Sequence, residues 1–364
     1  MCSNIKYDYL IVGAGLFGAV CAYRLKQMNK KVLVIDKRCH IGGNIYTEKT
    51  PGGIFVHKYG AHIFHTNNKD VWNFVTKFIN LQQYQNEPIA NYNNEYYNLP
   101  FNMHTFYQIY GIKSVSELEK YMEKWDKSID NPKNVEEVAI KYVGKKLYKK
   151  LIKGYTEKQW GAKCSELPPD ILKRIPVRKE WNNNYFNDKY QGIPVNGYTD
   201  LIEILLDGVD VLLNENFDIN RHYNLADKII YCGSIDSIFS YELGVLDYRS
   251  LKFIEKYSDT SNGVPVMNFT SSKIPYTRII NHKMFLKETK DKKETILTFE
   301  YPEKFNMFNE RYYPINNERN NALYLKYVDL LKEKYPKIIP GGRLGLYKYL
   351  DMDKTIELAL NMEL

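Results

Sequence analysis

Apolar positions along this chain follow two rhythms, and their alternation predicts an α/β architecture. Tyr7 to Val12 and Lys31 to Ile35 are short apolar runs that read as strands. The segment between them, to about Asn29, reads as a helix, so the first 45 residues form a βαβ unit. A helical stretch is expected at 70–80 and a strand at 92–98. Residues 105–154 are helix-rich: Val115 to Trp125 and Val135 to Ile152 both carry apolar residues at helical spacing. Pro168-Pro169, Pro176, Pro194 and Gly197 break the next stretch into loops and short elements, and Thr199 to Leu206 is helical again. Residues 209–213 and 227–232 read as strands that return to a parallel sheet. From 248 to 301 the short runs Leu251–Glu255, Val264–Met267 and Thr295–Phe299 suggest an antiparallel sheet, and Thr355 to Leu360 closes the chain as a helix.

The organisation that follows is discontinuous. A Rossmann-like nucleotide-binding domain is expected from 1–80, 197–247 and 315–364. A helical domain would be inserted at 102–172, and an antiparallel β-sheet domain assembled from 81–101, 173–196 and 248–314. The length, 364 residues, accommodates these parts.

Composition narrows the classes. Hydrophobic residues at 44% and charged ones at 26% exclude wholesale disorder. There is no apolar run of about 18 residues, so no membrane-spanning helix is expected. The chain passes from Met1 straight into strand-like residues, which predicts no secretory signal and a cytoplasmic protein. Five scattered cysteines without a CxxC pair argue against a disulfide framework and a zinc site; no metal is expected. The net charge of +8 is spread along the chain, which favours small phosphorylated ligands over nucleic acid. Thirty-two tyrosines offer flat faces and hydroxyls suited to stacking on sugars and bases.

Glycines carry the first chemistry. Gly13-Ala14-Gly15-Leu16-Phe17-Gly18 lies between a strand and a helix, and Asp36 closes the next strand. Gly13 permits the tight turn, Gly15 lets backbone approach a pyrophosphate, and Gly18 allows close helix–strand packing. The helix N-terminus presents free N–H groups to that pyrophosphate, and Asp36 is placed to accept from an adenosine ribose. After Asp36 come Lys37-Arg38-Cys39-His40-Ile41-Gly42-Gly43-Asn44. This glycine pair resembles the second motif of FAD-binding flavoproteins of the glutathione-reductase and amine-oxidase types, whereas plain NAD dehydrogenases usually continue into a helix. Gly341-Gly342-Arg343-Leu344-Gly345, followed by Tyr349 and Asp351-Met352-Asp353, offers backbone amides to a second phosphate or to the flavin ribityl chain.

Six further blocks, in order, resemble the bacterial UDP-galactopyranose mutases over about residues 5–360. They are Tyr59–Thr66, Asn98–Asn102, Gly154-Tyr155-Thr156-Glu157-Lys158-Gln159-Trp160-Gly161, Arg174–Arg178, Tyr276–Ile279 and Gly342–Asp353. Ala61, where proline is expected, and Asn281, where a glutamate is expected, depart from the pattern. The resemblance implies an FAD enzyme that isomerises UDP-galactopyranose and UDP-galactofuranose through a covalent adduct between N5 of the reduced flavin and the sugar, for bacterial surface glycans. It implies NADPH or NADH as reductant and a homodimer.

Residue roles follow from the same resemblance. Arg174 and Arg278 would neutralise the diphosphate as it leaves, a role guanidinium pairs suit. His65 is a catalytic candidate, and His62 would sit with it beside the flavin. Gly13, Gly15, Phe17, Gly18, Asp36, Lys37, Gly43, Asn44, His62, Arg343, Tyr349, Asp351 and Met352 would hold the cofactor. Tyr155 and Trp160 would hold uracil; Tyr185, Tyr313 and Tyr349 would reach phosphates; Asn86, Thr156 and Asn268 would contact substrate, with Glu300 near the sugar. Two rivals stand beside this reading. One is a flavin oxidoreductase of the amine-oxidase type, which shares the two N-terminal motifs, and the other is a non-catalytic UDP-sugar binding protein.

Overall fold

The computed structural model describes residues 6–127, 129–174 and 177–364, with only the backbone of Asp170, Lys173 and Arg174. A five-stranded sheet orders its strands Asp210–Leu213, Val32–Asp36, Tyr7–Val12, Ala226–Tyr231 and Ile338–Pro340, every pair parallel. Its central strands are buried on both faces, which is why their sequences read as continuous apolar runs. Ile11, Val34 and Ile230 point into one core with the helices Leu16–Gln27, Tyr198–Leu206 and Met352–Asn361. Leu10, Val12, Leu33 and Ile35 point into the other, against Leu323, Tyr327 and Leu331 of helix Glu318–Lys334. The result is the three-layer sandwich expected of a Rossmann-like domain.

A third core belongs to the helices Met103–Tyr110, Val115–Asp126 and Val135–Leu147. The expected single helix from Val135 to Ile152 is interrupted. Gly144 adopts φ +77°, ψ +159°, and a π-helical turn spans Tyr148–Ile152 before helix Lys153–Trp160 begins. A Cβ on Gly144 would lie 2.6 Å from the Trp125 ring, so glycine is required by both its dihedrals and its neighbours.

The third unit is a seven-stranded sheet in the order Tyr313–Pro314, Tyr248–Ser258, Thr295–Lys304, Arg278–Asn281, Val266–Phe269, Ile89–Tyr92 and Glu95–Asn98. It corrects the sequence reading twice. Residues 92–98 are not one strand but the second half of a hairpin that turns at Asn93 and Asn94, with φ +52° and +66°. Those left-handed dihedrals fit a two-residue turn, and asparagine tolerates them. The sheet is also mixed, because Ile89–Tyr92 runs parallel to Val266–Phe269. Strand Tyr190–Pro194 pairs with both Phe64–Thr66 and Leu81–Gln83, tying the region after the βαβ unit to the later chain.

Close packing of the first helix on its strand depends on Gly18. A Cβ there would lie 2.0 Å from the Gly13 carbonyl oxygen and 3.1 Å from Ile11 Cγ2. The clash is with backbone, so it cannot be relieved by a rotamer change. Gly18→Ala is expected to cost about 1–3 kcal/mol, the usual range for overpacking. Denaturant unfolding of the wild-type and variant chains checks this, the variant's midpoint falling.

Candidate active site

The parallel strands end in a cavity of about 490 Å³. Gly13, Gly15, Phe17 and Gly18 form its floor, with Asp36, Lys37, Gly43 and Asn44 on one wall and Arg343 and Met352 on another. It lies where such folds bind ligands, outside the carboxyl ends of the strands. The two glycine loops meet here: a Cβ on Gly43 would lie 3.0 Å from the Gly15 Cα. Gly15 is the N-cap of helix Leu16–Gln27 without a capping side chain, so the first amides of that helix stay available to an anion.

Asp36 does more than the sequence reading gave it. Its Oδ2 accepts from the Ala14 amide at 2.8 Å and its Oδ1 from the Arg38 amide at 2.9 Å, so the carboxylate braces both glycine loops. Each oxygen keeps a second lone pair for a ribose hydroxyl. Residues the sequence reading left out also stand on this wall. Glu310 accepts from Lys37 Nζ at 2.9 Å and from Arg38 at 3.1 Å, and the Arg38 guanidinium lies 4.3 Å from the centre of the Tyr59 ring. Phe217 follows strand Asp210–Leu213, and its place at the crevice is the signal that could have found it. A cradle too tight for side chains, free helix amides and a braced carboxylate fit the diphosphate and ribose of a dinucleotide such as FAD.

His62 marks the inner end of the cavity. Its Nδ1 lies 2.8 Å from the Gly60 carbonyl, so Nδ1 carries the proton and Nε2 is left as an acceptor. Burial lowers its pKa to about 4 against that hydrogen bond, and the charges of Arg343 and Arg278 add to the lowering. The ring is therefore neutral at physiological pH.

Around this end the tyrosines and arginines gather. Arg278 Nε donates to Tyr155 Oη at 2.9 Å, and its Nη1 is 3.6 Å from Glu300 Oε2. Burial opposes the charge on Arg278, but Glu300 and Tyr155 outweigh it and raise its pKa. About a third of the Arg278 side chain stays open while Glu300 is almost fully buried, its Oε1 held by Thr277 Oγ1 at 2.8 Å. Burial pushes the Tyr155 hydroxyl up to about 12, so it keeps its proton and can donate it onward. Tyr313 and Tyr349 have ring centres 5.7 Å apart, and Arg343 lies 5.0 Å from the centre of the Tyr349 ring. The Tyr185 amide donates to the Asn86 carbonyl at 2.7 Å, and the nearly buried Arg178 holds the same loop by donating to the carbonyls of Asn184 and Tyr185. Asn268 pairs with Arg278 across neighbouring strands, and its buried Oδ1 has no partner.

Other expected residues sit elsewhere. Thr156 is buried beneath its helix, and Trp160 packs on the helical core. Asp351 is exposed at the N-cap of helix Met352–Asn361. His65 is off the cavity wall; its ring stacks on Phe186 and its Nδ1 lies 2.5 Å from Asp188. Arg174 ends the 3₁₀ helix Pro169–Arg174, and the expectation for its side chain lies outside the described residues. Asn281, one departure from the family pattern, is fully buried and tied to Ser261, Asn262 and Thr295. Among the described residues no cluster could hold a metal ion, and no helix is long and apolar enough to cross a membrane.

Fold and site together define a dinucleotide-binding α/β protein whose cavity ends at His62, within electrostatic reach of Arg278 and its tyrosine neighbours. A family model described as UDP-galactopyranose mutase matches residues 150–349, and one described as an NAD(P)-binding Rossmann-like domain matches residues 11–78. The chain is 42% identical to a probable UDP-galactopyranose mutase of Klebsiella pneumoniae, over 97% of this chain and 93% of that protein. It is 40% identical to the dTDP-fucopyranose mutase of Escherichia coli, over 96% of each. A crystal structure of reduced UDP-galactopyranose mutase shares its fold, with a TM-score of 0.73 at 14% identity over 98% of this chain and 94% of that one. The chain belongs to the UDP-galactopyranose mutase family.

Behind His62 lies a chain of buried histidines. The His62 amide donates to His57 Nδ1 at 3.1 Å, the His57 amide to His282 Nδ1 at 3.3 Å, and His282 Nε2 is 2.8 Å from Thr298 Oγ1. Burial lowers the pKa of His57 far below its usual value and that of His282 to about 3. Both are neutral in the fold but take a proton near pH 6.5 once unfolded. Stability is therefore full above about pH 6.5 and falls below it, by about 1.4 kcal/mol per pH unit for each histidine. Unfolding free energies measured between pH 6.5 and 5 should show this slope, and His282→Gln should flatten it by close to one proton.

Proposed function

We propose that this protein interconverts UDP-galactopyranose and UDP-galactofuranose with FAD in its reduced form, supplying a furanose donor for bacterial surface glycans. The observation that carries the proposal is the placement of Arg278. It stands on an inner strand with one open side, fixed by Tyr155 and Glu300, within electrostatic reach of the histidine that ends the dinucleotide cavity. Bound and reduced, the flavin supplies a nucleophile for the anomeric carbon. The chain's own residues must then hold the nucleotide and receive the charge it carries away.

Arg278 offsets the negative charge that grows on the departing diphosphate, and Arg174 is its proposed partner. The Tyr155 hydroxyl, already accepting from Arg278, donates its proton toward a phosphate oxygen, with Tyr185, Tyr313 and Tyr349 as further donors. The Tyr155 ring faces uracil, with Trp160, packed on the helical core, and the buried Thr156 supporting it from the same helix. Asn86 and Asn268 face the sugar. The unpartnered Oδ1 of Asn268 would accept from a sugar hydroxyl. Neutral His62 serves as an acceptor shaping the flavin side of the chamber, and His65 supports that strand through Asp188. Arg343 contacts the flavin or its phosphate. The same reading carries NADPH or NADH as the electron source, a homodimer and a cytoplasmic location.

The relatives' names divide between UDP-galactose and dTDP-fucose as substrate. We place this chain with UDP-galactose because the family model across residues 150–349, which spans most of the chamber, carries that description. The test is chromatographic: reduced holoprotein is incubated with UDP-galactofuranose and, separately, with dTDP-fucofuranose. UDP-galactofuranose should be the better substrate by kcat/KM; preference for the dTDP sugar would overturn the assignment. Arg278→Ala should keep its flavin and lose about 10²–10³-fold in kcat, the usual effect of removing one transition-state charge partner. Loss of flavin instead would move Arg278 from the substrate site to the cofactor site.

A further inference from the structure

Lys158 sits on helix Lys153–Trp160, one turn beyond Tyr155 and on the same face. Its Nζ donates to four backbone carbonyls: Phe269 at 2.7 Å, Ser271 at 3.0 Å, Ile274 at 2.9 Å and Tyr276 at 3.0 Å. Four acceptors share three N–H donors, so the ammonium lies inside a ring of carbonyl dipoles. Among the described residues no carboxylate pairs with it. Burial pulls its pKa down to about 8, while the four carbonyl oxygens favour the charged form.

Those carbonyls belong to one segment, the loop that joins strand Val266–Phe269 to strand Arg278–Asn281. The helix reaches the loop only because Gly154 has no side chain; a Cβ there would lie 2.4 Å from the Thr270 oxygen. The last carbonyl of the ring, on Tyr276, is two residues before Arg278. Arg278 in turn donates to Tyr155 on the same helix. One helix therefore grips the loop at its ring of carbonyls and the arginine at its guanidinium. At the helix's far end Gly161, in the left-handed conformation, and Arg249, which donates to the carbonyls of Lys158 and Gln159, complete the C-terminal cap.

We propose that Lys158 is a positioning residue: as a cation held in the carbonyl ring of the 269–276 loop, it sets where Arg278 stands against Tyr155 and hence against the diphosphate. The inference rests on the reading of Arg278 as a diphosphate contact. Lys158→Met keeps most of the side chain's length and removes the cation, so the loop carbonyls lose their common partner. An arginine would not substitute, because a planar fork cannot sit among four convergent carbonyls as a compact ammonium does.

The test is a double-mutant cycle in the reduced holoenzyme, with kcat and KM for UDP-galactofuranose, the Kd for UDP and the flavin spectrum as readouts. Lys158→Met should retain flavin and lose at least ~10-fold in kcat/KM, since small misplacements of a charge partner are costly. In the Arg278→Ala background the same change should cost less than ~2-fold, because the group it positions is gone. In Lys158→Ala, ethylammonium should restore activity where ethanol does not. Should Lys158→Met fail to fold, Lys158→Gln, which retains two N–H donors, carries the same cycle.

Wild-type kinetics in the single variant, or an undiminished effect of Lys158→Met in the Arg278→Ala background, would overturn the proposal while leaving the diphosphate reading intact. Arg278→Ala at wild-type activity would overturn that reading and this inference with it.

Discussion

The site depends on keeping one guanidinium charged, fixed and partly open inside a protein. A charge out of water is costly unless it is paired and hydrogen-bonded. Arg278 meets this with Glu300 beneath it and the Tyr155 oxygen beside it, leaving about a third of its side chain open. Glu300 is in turn held by Thr277, the residue before the arginine. This arrangement needs a helix from the inserted domain to touch a strand of the second sheet, and two glycines make that possible. Gly154 lets the helix approach the loop backbone, and Gly161 ends it in a left-handed turn against Arg249. The block Gly154–Gly161 thus brings the Tyr155 hydroxyl to Arg278 and fixes the distance between the helical insertion and the second sheet.

The cofactor side obeys a similar logic of close backbone approach. Gly15 and Gly43 bring two loops into contact, and Asp36 bonds to an amide on each. The carboxylate is a structural brace, held in one orientation by both amides. His62 joins the two sides. Its neutral state follows from burial beside Arg343 and Arg278, and its amide is anchored to a row of buried histidines reaching into the sheet.

Much of this was legible in the chain. The βαβ unit is local: strand, glycine turn, helix and acid lie within 36 residues, and each obeys a rule that neighbours in sequence suffice to show. The parallel sheet and the helical insertion were visible for the same reason. The hairpin at Asn93-Asn94 was not, although an asparagine pair is itself a turn signal, because the tyrosines on both sides of it read as one strand. Strand Arg278–Asn281 is too short and too polar at its ends to announce itself. Tyr155, Tyr185, Arg278, Tyr313 and Tyr349 come from distant parts of the sequence; only family resemblance named them together. Lys158 and Arg178 were missed because they act on backbone carbonyls, and a sequence does not display where carbonyls converge.

In the proposed isomerisation, electrons are required and not consumed. The most direct measurement reduces the flavoprotein anaerobically with one equivalent of dithionite, leaves no excess, and counts sugar nucleotide converted per flavin. Far more than one conversion per flavin is expected after a single reduction, and none by the oxidised protein. Product that stops at one per flavin, or equal turnover by the oxidised protein, would contradict it.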